Sequence, residues 1–449
     1  MQKSLILSLV ILVPVLAQAQ PRMAASPLAA EIDRRAAAIE QDLLAWRRHL
    51  HQHPELSNRE VETSKFVVEK LKSFGLEPQT GIAKTGVVAL LKGAQPGPVV
   101  ALRADMDGLP VTEEVDVPFA SKARGEYEGK PVGVMHACGH DTHVAIALAS
   151  AKVLSDLKSQ LRGSVKFIFQ PAEEGAPRSE QPAGAELMVK EGVLKSPDVD
   201  AIFGLHVFAN VPSGFVGWRS GPMMAAADTF DITVRGRQTH GAAPWAGVDP
   251  IVVASQIVLG LQTIVSRQVD ITSQPAIVTV GQVEGGVRNN IIPDSARLVG
   301  TIRTFDDAMQ ADIHARIKRT AERIAEAAGA TADVRIDRGY PVTANDPQLT
   351  TRMLPTLERV AGKQLMELGK ITGAEDFTYF QREVPGMFIF LGITPKDQVG
   401  KAAANHSPRF FVEESALVMG VRALTQLTAD YLFSDAAPST QRSKTKVQH

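Results

Sequence analysis

The residues best equipped for chemistry gather in one stretch, Met135-His136-Ala137-Cys138-Gly139-His140-Asp141-Thr142-His143, which holds the single cysteine of the chain. A thiol and an imidazole two positions apart cannot share a helical face. From a tight loop they can converge on a metal ion, and Gly139 supplies the backbone freedom for that. The plain alternative is a small buried cysteine among polar loop histidines. Other donors lie far away in sequence: the adjacent pair Glu173-Glu174, then His206 and His406. Thiolate with imidazole and carboxylate suits zinc, nickel, cobalt or manganese rather than calcium or magnesium. Neighbouring carboxylates repel unless their roles separate, one holding metal while the other exchanges a proton. The bland reading makes the glutamates solvated loop acids and His206 a core histidine.

The elements around these residues give them a common place. Short apolar runs at 87–91, 99–103, 165–169, 201–205 and 387–391 have the length and composition of strands buried on both faces. Residues 28–50 read as one amphipathic helix stopped by Pro54, a second with Val67, Leu71 and Phe74 on one face ends at Gly75, and 144–154 read as a third, with Asp141 or Thr142 as its N-cap. Helices alternating with such strands indicate an α/β domain with a mixed, largely parallel sheet and helices on both faces. The run 99–103 leads into Asp105 and Asp107, 165–169 into Glu173 and Glu174, and 201–205 into His206. In open α/β sheets ligands bind beyond the carboxyl ends of strands. The bland readings would therefore all have to hold at one sheet edge.

Residues 225–336 follow another pattern. A strand (229–235), a helix (250–269), two strands (276–283, 296–304), a helix (307–328) and a strand (331–336) form β-α-β-β-α-β, a ferredoxin-like satellite inserted into the first domain. The catalytic domain is thus split into 20–224 and 337–435, and 436–449 reads as a disordered tail. The chain of 449 residues carries a formal net charge of −1 without a basic arm, which argues against nucleic acid as a partner. Residues 1–19 read as a signal peptide: Lys3, an apolar core at 5–16, and Ala17-Gln18-Ala19 as the cleavage site. The protein is expected to be exported, periplasmic or secreted, and no further apolar run reads as a membrane span. One cysteine cannot form a disulfide within the chain, which leaves Cys138 as ligand or reactive thiol.

In combination these motifs resemble the di-metal aminoacylase and carboxypeptidase peptidases, the M-twenty family, and especially its hippurate hydrolase and auxin-conjugate amidohydrolase branch. The resemblance rests on Arg48-His49-Leu50-His51-Gln52-His53-Pro54-Glu55-Leu56, Leu102-Arg103-Ala104-Asp105-Met106-Asp107-Gly108-Leu109-Pro110, Cys138-Gly139-His140-Asp141, Gln170-Pro171-Ala172-Glu173-Glu174-Gly175, Gly204-Leu205-His206, Gly373-Ala374-Glu375-Asp376-Phe377 and Asn405-His406-Ser407-Pro408. It implies two divalent metal ions (Zn, Mn, Co or Ni) held by Cys138, His140, Glu174, His206 and His406, with Cys138 bridging and Glu173 as general base. Arg103 stands where other branches have a metal-binding histidine and is not expected to ligate; Asp105 and Asp141 support the ligands. The satellite is expected to form a homodimer or higher homo-oligomer, with His240 reaching a neighbouring active site to stabilise the oxyanion. Asn289 and Arg303 fall where the family holds the substrate carboxylate or the dimer edge. His49, His51, His53, His136 and His143 are expected to shape or hydrogen-bond the site, and Met223, Met224 and Trp245 to pack in the core or lid.

The implied activity is hydrolysis of the amide bond of N-acyl amino acids to a carboxylic acid and a free amino acid. The same machinery would serve a metallo-carboxypeptidase or dipeptidase. A thiol hydrolase using Cys138 leaves the paired glutamates and distant histidines without a purpose, and a non-catalytic binding protein is expected to have lost a ligand or the base, whereas all six positions are present.

Overall fold

A computed structural model describes residues 25–434. The expected leader (1–19) and tail (436–449) lie outside the described residues. The chain opens with α1 (Ala29–Ala38) and α2 (Glu40–Gln52). The single helix expected over 28–50 is thus two, broken at Ile39. Both are amphipathic, burying Ile32 and Ala36 in the first and Leu43 and Leu50 in the second. There follow α3 (Val61–Ser73), β1 (Gln79–Ile82), β2 (Gly86–Lys92), β3 (Gln95–Asp105), the hairpin β4 (Arg124–Tyr127) and β5 (Lys130–Gly133), and α4 (His140–Asp156). Next come β6 (Arg162–Gln170), α5 (Gly184–Lys190), β7 (Ala201–Pro212), β8 (Val216–Trp218) and β9 (Gly221–Met224). The satellite contributes β10 (Ala226–Arg235), β11 (Thr239–His240), α6 (Pro250–Thr263), β12 (Ala276–Gly285), β13 (Ile291–Ile292), β14 (Ser295–Thr304), α7 (Asp307–Ala327) and β15 (Thr331–Arg338). The chain returns through β16 (Thr343–Asn345), α8 (Pro347–Ala361), β17 (Leu365–Glu367), α9 (Thr378–Glu383), β18 (Gly386–Thr394) and α10 (Leu417–Phe433).

The main sheet has the order β1-β2-β6-β3-β7-β18-β8-β17. Its centre is parallel, β6 to β3, β3 to β7 and β7 to β18, while β1 and β2 add antiparallel pairs at one edge. One face packs against α1–α4, α8 and α10 through residues such as Leu43, Val67, Ile146, Met353 and Leu424. The other packs against α5 and α9 through Met188, Phe377 and Phe380. Helix α4 is buried on nearly every side, which is why its sequence carries no polar stripe.

The satellite sheet runs β12-β14-β10-β15, every pair antiparallel. Helices α6 and α7 cover one face, where Ile232, Leu298, Ile302, Ile257 and Ile313 form a separate core. This is the expected ferredoxin-like unit. Helix α6 and the turn after it, Pro250–Gln268, are long and apolar enough to cross a membrane by composition, contrary to the sequence expectation. In the fold the helix buries Val253, Ile257 and Leu261 against the satellite sheet and leaves Val252 and Leu259 outward.

Candidate metal centre

The site begins where α4 begins. Gly139 has φ +95°, and a Cβ there would stand 2.3 Å from Val207 Cγ2, so the position needs glycine on two counts. Gly139 itself is the N-cap, which corrects the expectation of Asp141 or Thr142; both lie inside the first turn. The sharp turn puts Cys138 just before the helix and His140 at its first position. Asp141 points away from the centre and binds Arg47 Nε at 2.8 Å and His51 Nδ1 at 2.9 Å. Burial opposes its charge, yet Arg47 and His51 hold it well below the usual carboxylate range. His51 Nε2 also meets Glu113 Oε1 at 3.0 Å, so its ring braces the loop.

His140 Nδ1 lies 3.2 Å from Asp107 Oδ1, which directs the opposite nitrogen, Nε2, into the pocket without any protein hydrogen-bond partner. His206 Nδ1 donates to the Val207 carbonyl at 2.6 Å, leaving its Nε2 lone pair 3.4 Å from Cys138 Sγ. On the other side of the sulfur, His406 Nε2 stands 3.2 Å from Cys138 Sγ and 3.2 Å from Glu174 Oε1. Donor atoms of Cys138, His140 and His206 form one cluster within 4.8 Å, those of Cys138, Glu174 and His406 another, and Cys138 belongs to both. Ligands around a small four-coordinate cation, with bonds of about 2.0–2.3 Å, are separated by distances of this order. The donor set fits two ions sharing a sulfur. His143 does not join it: Nδ1 meets Asp105 Oδ1 at 2.5 Å and Nε2 accepts the Val207 N–H at 2.9 Å, so both nitrogens are engaged.

The electrostatics also demand cations. Asp105, Asp107, Glu173, Glu375 and Asp376 are all buried. Arg103, fully buried on β3, answers part of this charge, reaching Asp105 Oδ2 at 2.6 Å, Asp376 Oδ1 at 2.9 Å and Glu375 Oε1 at 3.0 Å. It is the counter-ion of the acids and not a ligand, as expected. Burial works against a charged His140, but Asp105 and Asp107 prevail and push it up to about 10. Burial, then the nearby Glu174 and Glu173, push the Cys138 thiol well up. Burial, then Glu375 and Glu174, likewise hold Glu173 far above its ordinary value. So much buried acidity is costly unless cations compensate it.

The loop after β6 is held by its backbone. Ala172 adopts φ +52°, unusual for a residue with a Cβ. Its N–H donates to Glu60 Oε1 at 2.8 Å, and the N–H groups of Glu173 and Glu174 donate to the two oxygens of Asp107 at 3.1 Å each. The Tyr340 hydroxyl donates to the Glu173 carbonyl at 2.6 Å. Glu173 Oε2 then lies 3.7 Å from His140 Nε2. His406, at φ +71°, is fixed by its N–H to the Ala137 carbonyl at 2.8 Å. Its neighbour Asn405 ties this loop to the carbonyls of Cys138 and Val207 at 3.1 and 3.2 Å.

The fold therefore brings together Cys138, His140, Glu173, Glu174, His206 and His406, with Asp105 behind them and Asp141 one layer further out. His206 is in the middle of β7 rather than at its end, because β7 pairs with β3 only as far as Gly204 and continues beside β18 alone. His240, Asn289 and Arg303 lie on the satellite, and no described contact joins them to this cluster. His240 and Asn289 are on neighbouring segments of the β11–β13 region, where the Gly241 N–H meets the Asn290 carbonyl at 2.8 Å. Arg303 on β14 donates to Thr301 Oγ1 and the Ile302 carbonyl. His49 and His53, expected to shape the site, instead line a groove between α2 and α3, where His49 stacks on Phe66 and His53 lies tilted against His49. Met223 and Met224 are core residues, whereas Trp245 is 82% exposed and packs in neither core nor lid. The sequence placed Asp107 at the sheet edge but gave it no role, Asn405 and Glu375 lay in quoted motifs without being singled out, and nothing in the sequence pointed to Glu60 or Tyr340.

Sheet, inserted satellite and paired donor clusters together define a dinuclear metallohydrolase. The chain belongs to Peptidase family M20/M25/M40, whose profile matches residues 101–430. It is 40% identical over 387 residues to thermostable carboxypeptidase 2 of Saccharolobus solfataricus, covering 86% of this chain and 94% of that one. It is 44% identical over 315 residues to an N-acyl-L-amino acid amidohydrolase of Geobacillus stearothermophilus, covering 70% and 81%. Its fold is similar, with a TM-score of 0.74 and 35% identity, to a dinuclear metal-binding peptidase of the M20 family from Bacillus subtilis, over 88% of this chain and 99% of that one. The protein is accordingly a metal-dependent amide hydrolase.

Proposed function

We propose that the protein releases a free amino acid from N-acyl amino acids, with a carboxylic acid as the other product. The observation that carries this reading is Glu173, a buried carboxylate 3.7 Å from His140 Nε2, beside two donor clusters that share Cys138. Cys138, His140 and His206 would hold one divalent ion, and Cys138, Glu174 and His406 the other. When bound, the ions supply Lewis acidity and lower the pKa of water. Glu173 takes the proton of the attacking water and returns it to the departing nitrogen of the amide. His140 is kept in one tautomer by Asp107, and His206 by the Val207 carbonyl, so the donors need no rearrangement. His406, with its side chain 55% exposed, stands on the open side, where substrate enters.

His240 is exposed on the satellite and would complete the site of a second subunit, donating to the oxyanion, with Asn289 and Arg303 on the carboxylate or the dimer edge. Apolar side chains left outward on α6 and the edge strand β12, including Val252, Leu259, Ile277 and Val283, support a homodimer through this unit. Residues 1–19 would direct export to the periplasm or beyond, and sequencing the N-terminus of the exported protein should then read from Gln20.

Amino-acid release from benzoyl-, acetyl- and long-chain-acyl amino acids, measured beside dipeptides with and without chelator, tests the reading. Chelator-sensitive release from the acyl compounds is expected. Release from dipeptides alone would make the protein a peptidase, and release that survives exhaustive chelation would discard the metal mechanism.

A further inference from the structure

Two crossings join the satellite to the main sheet, and they meet at Tyr340. The first is Ala225, between β9 and β10; its N–H is fastened to the carbonyls of Ile371 and Gly373 at 3.1 and 2.9 Å. The second leaves β15 through Gly339 and Tyr340. The Tyr340 carbonyl accepts the Ala227 N–H at 2.9 Å, so the two crossings are stitched together. The approach is close: a Cβ on Gly339 would stand 2.2 Å from the Ala227 carbonyl oxygen. The Gly339 N–H donates to Asp228 Oδ1 at 3.2 Å, and Asp228 Oδ2 is held at 2.8 Å by both Gln310 and His314 of α7. The backbone of this segment thus belongs to the satellite, while its side chain reaches the catalytic loop.

Among the described residues Tyr340 is the single donor to the Glu173 carbonyl. Asp107 accepts from the N–H of both peptides that flank Glu173, and Tyr340 donates to the carbonyl of the second, so that peptide is held at its N–H and at its oxygen. The preceding residue, Ala172, is in a left-handed conformation that persists only where surrounding contacts over-determine it. The tyrosine ring is itself placed, edge to face with Tyr379 of α9 at 6.3 Å between centroids.

We propose that Tyr340 is a positioning residue: from the hinge between satellite and main sheet, its hydroxyl fixes the backbone of Glu173 and so aims that carboxylate at the reacting water. This rests on the reading of Glu173 as the base. No described contact joins the Tyr340 side chain to a metal-donor atom, so its loss should leave ground-state binding intact and misplace the proton acceptor. Misplacements of an ångström or less carry large rate costs.

The test compares Tyr340→Phe and Glu173→Gln with the unaltered metal-loaded enzyme, measuring kcat, KM, metal content and thermal midpoint. Tyr340→Phe keeps the ring and removes one oxygen. The expected result is a kcat about tenfold lower or more, a KM within about twofold, and an unchanged metal content per chain. A purely structural role would lower the thermal midpoint while kcat per folded molecule stayed at the original value, and that outcome overturns the proposal. Glu173→Gln separates the two inferences. An inactive Glu173→Gln beside a fully active Tyr340→Phe refutes the positioning role alone. A fully active Glu173→Gln refutes the base, and the positioning role with it.

Discussion

Asp107 shows how one carboxylate can organise a site from behind the donor clusters, to which it contributes no atom. Ser57 donates to it at 2.6 Å, His140 faces one oxygen, and the Glu173 and Glu174 N–H groups each take one oxygen. A donor histidine and the base loop are therefore referenced to the same two atoms. Asp107→Ala should weaken metal binding about 10- to 100-fold, the usual cost of losing a ligand's hydrogen-bond partner. Titration against a competing chelator measures it, and unchanged affinity would show that the ring needs no orientation. Glu60 carries a pH prediction. Burial, then Asp107, raise it from 4.5 to about 8. The folded chain then binds this proton more tightly than the unfolded one, so the associated stability is complete below about 4.5 and is lost as pH rises through about 8. In thermal melts of the metal-free protein, Glu60→Gln should flatten the decline between those values; equal slopes in both proteins would count against it.

At the scale of elements, the start of α4 is the most sensitive point. Gly139→Ala places a Cβ in a left-handed conformation costing about 1–2 kcal/mol, before any displacement of Val207 is counted. The expected variant folds less stably and loses activity through the Cys138–His140 turn, read by a denaturant midpoint and by metal content; wild-type values of both would remove the turn from the argument. Much of this level could be read from the residues. The strands buried on both faces announced themselves as unbroken apolar runs, and the satellite by its alternation and spacing. Both helix misreadings were local. Ile39 breaks a helix that periodicity alone would continue, and the polar residues after Gly139 imitate a cap while belonging to the first turn. The donors were legible because thiol, imidazole and paired acids are rare together. Their supports were less so. Glu60 and Tyr340 act through backbone atoms of other segments, and only the folded chain reveals such contacts. His206 also required the register, since β7 loses its pairing with β3 after Gly204, two residues before it.

For the whole molecule, the separation between satellite and donor cluster makes the assembly testable. If His240 serves a neighbouring subunit, Glu173→Gln and His240→Gln should each be inactive alone. Mixed and reassociated, they should recover up to about a quarter of the original activity, because a hybrid dimer contains one site with both residues intact. No recovery in verified hybrids would remove His240 from the neighbouring subunit's site, and full activity of His240→Gln alone would place it outside the reaction. The strand order has a further consequence for how the molecule is made. β18 lies between β7 and β8, yet it is the last strand among the described residues, and His406 follows it. A ribosome that has delivered everything through the satellite has produced a main sheet with a gap in its middle and a pocket short of one donor. Synthesis must reach the final tenth of the described chain before the sheet can close. Hydrolytic competence is thus a property of the finished polypeptide, and no nascent fragment ending before β18 can carry it.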